Sequence, residues 1–321
     1  MDRIVILINA ISEHPTEDEL DVLDQAGVVE ETLQKLGFIT GRVFMGLDLA
    51  KARDEIAAFT PKLVFNLVES LAGKANLIYL APALLESMKL PYTGCRLEGM
   101  FLTSNKPLAK KIMTGKGLPT PLSYLTSETD LLKPGTRYIA KPLWEDASVG
   151  ITDASVFTGY DRSLIQSLQE NWGSAFFVEE FIEGREFNVS ILANNRYPQV
   201  MPLAEILFRD FPGGKPRIVS YAAKWDKNTF EYVNTPRTFD IIDLDDLLKQ
   251  ELVRLCEQCW QVFDLKGYAR VDFRLDENNR PYILEINANP CISPDAGFYA
   301  ACERAGIPFT EVVRRIVADS F

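Results

Sequence analysis

The stretch GYARVDFRLDENNRPYILEINANP, from Gly267 to Pro290, sets Arg270 two residues before Asp272 and Glu285 two residues before Asn287, among Val, Phe, Leu and Ile. Alternation puts these four polar residues on one face of two strands, with Val271, Phe273, Leu284 and Ile286 on the other. The linking DENN suits a tight turn, because Asn tolerates positive φ. A turn centred between Asn278 and Asn279 makes Asp272 face Glu285 and Arg270 face Asn287. Two carboxylates directly opposite repel and weaken a sheet. A hard cation between them removes that cost. Asp272, Glu285 and the Asn287 oxygen are an all-oxygen set of the kind Mg²⁺ takes, with positions left for phosphate. Arg270 beside such an ion would face an anion or a developing oxyanion. A hairpin with a solvated polar face and an Arg270–Asp272 salt bridge satisfies the same spacing, and a slipped register would part the carboxylates.

The other candidate groups are dispersed. Lys141 in YIAKPLWEDASVG follows a strand-like run and precedes a loop of small and polar residues. Lys224 lies in YAAKWD, and Lys106 opens a basic helix. Each of these reads equally as a solvated surface charge when taken alone. VEEFIEGREF sets Glu179 and Glu180 before a turn and Glu186 after it, where a carboxylate could hold ribose hydroxyls or simply sit in an exposed acidic loop. No GxxxxGK[ST] and no GxGxxG follows the first strand, which excludes a P-loop and a Rossmann dinucleotide fingerprint. A bound nucleotide must then be gripped by separate lysines and magnesium.

These residues need a scaffold. RIVILIN, FITGRVF and KLVFNLV read as strands, and DELDVLDQAGVVEETLQKLG as a helix stopped at Gly37. LIYLAPALLESMKL reads as a helix and PYTG as a strand end and turn. The βαβα order argues for a parallel sheet covered by helices. A basic helix, SNKPLAKKIMTGKG, marks a boundary near residues 95–105. Beyond it YIAKPL, AFFVEEFI and EFNVSIL read as strands, DRSLIQSLQENW and FTEVVRRIVADSF as helices, and FIEGREF as a turn between strands and a hinge. The expected fold class is α/β (α+β), in three parts: 1–100, 101–182 and 183–321.

With 321 residues, 47% hydrophobic and 25% charged, the chain has globular composition, and its net charge of −11 argues against a nucleic-acid backbone as partner. MDRIVILINA is too short an apolar run for a signal peptide, and no run reaches a membrane span, so the expectation is cytoplasmic with no membrane partner. Cys256 and Cys259 form a CxxC at helical spacing without a second pair, which reads as core thiols rather than zinc ligands. The single histidine, His14, leaves histidine-based catalysis almost nothing to work with.

The ordered motifs SNKPLAKK, AKPLWEDASVGI, VEEFIEGREFNVSIL, YAAKW, GYARVDF and LEINANP resemble the ATP-grasp superfamily, most of all its D-alanine–D-alanine ligase branch. VFNLVE and APALLESMKLPYTG agree with that branch as well. The resemblance implies a three-subdomain ATP-grasp fold with a Rossmann-like N-terminal sheet. It implies ATP phosphates held by Lys106, Lys141 and Lys224, an adenine side lined by Glu179, Glu180, Phe181 and Ile182, and a ribose on Glu186. It implies two magnesium ions, or manganese, on Asp272, Glu285 and Asn287, with Glu285 bridging. Arg270 would stabilise an oxyanion, and the loop from Trp144 to Gly150, with Ser148, would close over the phosphates. The implied reaction activates a carboxylate as an acyl phosphate and passes it to an amine, often in a homodimer.

The chain departs from that branch where substrates bind. Ala147 stands for the first serine of the phosphate loop, Trp225 for a tyrosine, Cys291 for a glycine, Ala296 for a serine and Glu69 for a histidine. An acidic loop with Glu17, Asp18, Glu19 and Asp21 replaces a glycine-serine loop. The expected activity is therefore a ligase for a small carboxylate and an amine other than two D-alanines. Glu69, Glu19, Trp225, Cys291 and Asp295 are its expected substrate contacts. A D-alanine–D-alanine ligase with a divergent pocket and an ATP-grasp kinase are the alternatives.

Overall fold

Arg3–Asn9 (β1) is buried along all but its first residue, as a run of Ile, Val and Leu in a parallel sheet requires. Ile39–Met45 (β2) and Leu63–Asn66 (β3) flank it in parallel, with Leu7 opposite Val43 on one side and Asn66 on the other. Tyr92 adds a parallel bridge to Val64, as the PYTG reading expected. The crossovers are Glu17–Lys35 (α1) and Leu49–Phe59 (α2). The sequence reading did not name α2; Asp48 caps it by accepting from the Lys51 N–H at 3.0 Å. These coordinates come from a computed structural model that describes residues 2–145, 147–173, 175–195, 197–241 and 243–321, with only the backbone of Asp18.

Leu80–Ser87 (α3) follows a short 3-10 turn at Ala75–Leu77. The expected basic helix is Lys106–Gly115 (α5), and Leu97–Ser104 (α4), which the sequence reading did not name, precedes it. Asn105 breaks them apart, with extended backbone and a side chain that accepts from Leu108 N–H at 3.0 Å.

Ser123–Leu125 (β4), Arg137–Pro142 (β5), Val156–Thr158 (β6) and Phe176–Glu180 (β7) make an antiparallel sheet in the order β4-β7-β5-β6. Arg162–Trp172 (α6) packs Ile165 and Leu168 against its Tyr138 and Phe176. The last sheet holds Glu186–Leu192 (β8), Gln199–Val200 (β9), Ala204–Ile206 (β10), Arg237–Thr238 (β11), Tyr268–Leu275 (β12) and Pro281–Ala288 (β13), in the order β11-β10-β8-β12-β13 with β9 on β8. Tyr221–Trp225 (α7) and Phe230–Asn234 (α8) lie between β10 and β11. In Asp246–Val262 (α9), Cys256 and Cys259 are fully buried and cluster with Val271, Phe273 and Ile286, so they are core thiols as their spacing predicted.

FIEGREF does lie between two strands, as read, but it joins two sheets rather than one hairpin. Its flanking strands β7 and β8 belong to different sheets. Gly184 in that crossing has φ +149, and a Cβ there would stand 2.0 Å from the Leu275 carbonyl oxygen, so no side chain fits. Gly297–Arg304 (α10) and Phe309–Ala318 (α11) return to the N-terminal sheet. Phe298, Val312 and Ile316 share one core with Ile4, Ile6 and Val29.

Candidate active site

The hairpin β12–β13 has the expected register at its functional end: Arg270 pairs with Asn287, and Asp272 with Glu285. It then shifts, so that Phe273 pairs with Ile283 and Leu284 is left over as a bulge. This corrects the expected core face. Ile283 is fully buried and Leu284 turns toward the cleft. The turn is also longer than a two-residue one, spanning residues 276–280. Asn279 takes φ 59, and the Asp276 carboxylate accepts from the Asn278 and Arg280 N–H groups.

The polar face of the hairpin lines a cleft between the two antiparallel sheets rather than open solvent. Lys106 of α5, Lys141 of β5, Glu179 and Glu180 of β7, Phe181, Ile182, Glu186 of β8, Lys224 of α7 and Ser148 line the same cleft. Asn287 instead lines an adjoining cavity, and Arg270 and Lys224 border both. The Arg270 guanidinium grips Asp272 through two hydrogen bonds, Nε to Oδ1 at 2.7 Å and Nη2 to Oδ2 at 2.8 Å. Asn287 Nδ2 donates to Asp272 Oδ2 at 3.1 Å. Burial pushes the Asp272 carboxyl up, and Arg270 pulls against it. Burial works the same way on Glu285, but Lys106, Lys141, Lys224 and Arg270 overcome it and hold that carboxyl down at about 2.

This donor set fits a hard divalent cation of one particular kind. Two facing carboxylates and an amide are oxygen donors. Among the described residues no group of three or more His, Cys, Asp or Glu side chains forms a protein-only cage. Asp272, Glu285 and Asn287 would hold a Mg²⁺ with few protein ligands, as an ion that neutralises phosphate charge requires.

The structure gives Glu179 and Glu186 cationic neighbours. Glu179 is buried between Lys110 and Lys141, each Nζ 2.7 Å from one of its oxygens. Burial raises its carboxyl, and the two ammonium groups outweigh that and hold it below the ordinary value. Glu186 Oε2 accepts from Arg274 Nε and Nη2 at 3.0 and 2.7 Å. Arg274 also donates to the Ile182 carbonyl at 3.1 Å and lies over the Phe181 ring. Lys106 donates to the Glu145 carbonyl at 2.7 Å and stands 3.8 Å from Glu285 Oε2.

The loop expected to cover phosphates runs between the cleft and the adjoining cavity; its Asp146 lies outside the described residues. Ala147 and Ser148 both take left-handed backbone, φ 56 and 62, a strained pairing for two non-glycine residues. Ser148 Oγ donates to the Val219 carbonyl at 2.8 Å, and the Trp225 indole N–H donates to the Ala147 carbonyl at 3.2 Å. Thus α7 carries both Lys224 and an anchor for the loop.

The adjoining cavity has a volume of about 690 Å³. Glu19, Asp21 and Glu69 line it together with Trp225 and Cys291. Ser12 and the Thr16 N–H donate to Glu19 at 2.7 and 3.3 Å. Cys291 Sγ donates to Asp21 at 2.8 Å, and Gln25 bridges Glu69 at 2.7 Å and Asp21 at 3.3 Å. Burial pushes the Asp21 carboxyl up, against the pull of Cys291 and Ser293. Glu17 does not line the cavity, and the Asp18 side chain lies outside the description. Asp295 does not line it either: its carboxylate accepts from Ser293 Oγ at 2.9 Å, and its carbonyl from Arg237 at 3.2 Å. His14 is exposed at the cavity edge.

Comparison with known proteins places this geometry. The profile of the family described as D-ala D-ala ligase C-terminus matches residues 133–318. The chain belongs to that family. It is 30% identical to a D-alanine–D-alanine ligase of Nitrosococcus oceani over 78% of this chain and 75% of that protein. It is 26% identical to the Bordetella avium ligase over 95% and 91% of the two chains. The solved D-alanine–D-alanine ligase of Bacillus anthracis complexed with ATP shares the ATP-grasp fold at a TM-score of 0.75 and 19% identity, covering 100% of this chain and 97% of that one. As a D-alanine–D-alanine ligase-like protein, the chain is an ATP-dependent ligase that joins carbon to nitrogen and releases ADP. No helix among the described residues is long and apolar enough to cross a membrane.

Sequence reasoning missed Arg274, which lines this ligase-like cleft, and Lys110, buried behind it against Glu179. Both carried a signal. Lys110 is one helical turn beyond Lys106, and Arg274 is two residues beyond Asp272 on the same strand face. The carboxylates of Glu19, Asp21 and Glu69 lie outside the residues that the family profile matches.

Proposed function

We propose that the chain activates an amino-acid-like carboxylate with ATP and joins it to an amine, and that the pair is not two D-alanines. The observation that carries this is the wall of Glu19, Asp21 and Glu69 in the cavity that borders the cleft at Arg270 and Lys224. A cavity lined by both carboxylates and cations suits a zwitterion whose ammonium faces the acids and whose carboxylate faces Arg270.

The first step forms a bond from the substrate carboxylate oxygen to the γ-phosphorus and breaks the bond from that phosphorus to the bridging oxygen of ADP. Lys106, Lys141 and Lys224 neutralise phosphate charge, so positioning takes the place of a protein nucleophile. Asp272, Glu285 and Asn287 hold one or two Mg²⁺, or Mn²⁺ in its place; the ion supplies charge neutralisation at the phosphates. In the second step the amine nitrogen bonds to the acyl carbon, and phosphate leaves with its oxygen while the nitrogen loses a proton. Arg270 stabilises the oxyanion in between. The loop with Ser148 excludes water from the acyl phosphate. The reading takes in subdomains at 1–100, 101–182 and 183–321, a cytoplasmic location and a homodimer.

The test is phosphate release from ATP and Mg²⁺ across D- and L-amino acids and amines, singly and in pairs, with Glu285→Gln as control. Release that needs two partners and vanishes in the control supports the proposal. Release with D-alanine as the preferred pair would return the pocket to the activity for which its relatives are named. Release that continues with a hydroxyl compound and no amine would make the chain a kinase.

A further inference from the structure

Lys110 is a buried cation that neither proposed step uses. Its side chain is 2% exposed; the ammonium is ion-paired with Glu179 Oε2 at 2.7 Å and donates to Thr120 Oγ1 and the Leu284 carbonyl, each at 3.0 Å. An ammonium in so dry a place persists only with such partners. The partners come from β7, from the segment between α5 and β4, and from the bulge in β13.

The bulge is held from outside its sheet. The Thr120 hydroxyl donates to the Ile283 carbonyl at 2.8 Å, and the Ile283 N–H donates to the Pro119 carbonyl at 2.8 Å. Glu285 follows the bulge immediately. With the bulge in place, Glu285 faces Asp272 while Ile283 enters the core; a regular ladder would turn one of the two to the wrong face. On its other side Lys110 binds the carboxylate that also holds Lys141. One ammonium therefore ties the strand carrying phosphate-side groups to the hairpin carrying the facing carboxylates.

We propose that Lys110 is a positioning residue, which fixes Glu285 relative to the nucleotide-binding strands by holding the bulge carbonyl and Glu179 at once. The inference rests on the reading of the cleft as a nucleotide and metal site. A lysine that merely balanced the charge of Glu179 would leave the bulge indifferent to its loss.

The deciding experiment titrates Mn²⁺ into the ADP-bound full chain, following the resonance of free Mn²⁺, with thermal melting alongside. Lys110→Met is expected to raise the half-saturating Mn²⁺ about tenfold, the size of loss usual when support behind a metal ligand is removed. Glu179→Gln, which weakens the other end of the tie, is expected to raise that value in the same direction, and the Lys110→Met/Glu179→Gln double variant to keep the defect. An unchanged value in folded Lys110→Met, or recovery in the double variant, overturns the proposal. If Lys110→Met does not fold, Thr120→Val, which loosens the same grip, must show a smaller shift in the same direction, and no shift overturns the proposal. A parent chain that binds no Mn²⁺ in the presence of ADP sinks the metal reading and this inference with it. That outcome is distinct from normal parent binding with an indifferent Lys110.

Discussion

The cleft and the cavity beside it share Arg270 and Lys224 but treat carboxylates in opposite ways. In the cleft, Glu179 is answered by Lys110 and Lys141, Glu186 by Arg274 and Asp272 by Arg270. In the cavity, Glu19 and Asp21 are answered by neutral groups: a serine hydroxyl, a backbone N–H, an amide and a thiol. Ion pairs in a dry place fix geometry at a cost in desolvation, as positioning a triphosphate requires. Carboxylates met by neutral donors leave more of their field unbalanced, and that field selects a cation.

Arg270 borders both regions, so its removal breaks the comparison at the root. Arg270→Met is expected to lower amide formation about a hundred- to a thousandfold, the size of an oxyanion contact, with ATP binding much less affected. Amide formation near the parent rate would deny it that place. Glu69→Gln separates the two regions. It is expected to raise the KM of the ammonium-bearing substrate about tenfold, the value of one charged hydrogen bond, and to leave the KM of ATP alone. Glu17→Gln, from the same acidic run but outside the cavity, should change neither. Equal effects of the two changes would reduce the acidic wall to general surface charge.

Trp225→Phe keeps a ring and loses the hydrogen bond to the Ala147 carbonyl. About fivefold more ATP should be hydrolysed per amide formed, because one neutral bond holding the loop is worth about 1 kcal/mol. Unaltered coupling of phosphate to amide would show that the loop holds without the indole.

The smallest effect expected is on stability. Burial raises the Asp21 carboxyl above its ordinary 3.8, so ionising it costs the folded chain more than the unfolded one. Stability is then lost as pH rises from 3.8 through the raised folded-state value, and this loss is absent below 3.8. Asp21→Asn should melt higher than the parent at neutral pH, and the two should converge in acid. Parallel melting curves across that range would place the Asp21 carboxylate in water.

How much of this was legible follows from how local each feature is. The pairing of Asp272 with Glu285 could be read because alternation and a nearby turn set it. Leu284 could not, because Pro119, Thr120 and Lys110 hold the bulge from a distant part of the chain. The lysines of the cleft were found as dispersed cations; their carboxylate partners required the sheets to be assembled first. Asp295 does not line the cavity, and its short segment gave no sign that its carboxylate folds back on Ser293. The acidic loop was noticed as a group, but spacing along α1 does not sort it, since Glu17 and Asp21 are one turn apart and only Asp21 lines the cavity; Glu19 reaches the cavity held by Ser12 and Thr16 at the helix start, a contact set by the folded loop.

The core that joins β1 and α1 to α10 and α11 has a bearing on how the chain is made. Ile6 and Val29 leave the ribosome long before Val312 and Ile316, with which they share that core. The first sheet therefore cannot finish burying its apolar face until α11 has been made. A stop codon ahead of α11 should strip β1 and α1 of part of their cover and expose them to proteases, although every residue of the cleft had already been made.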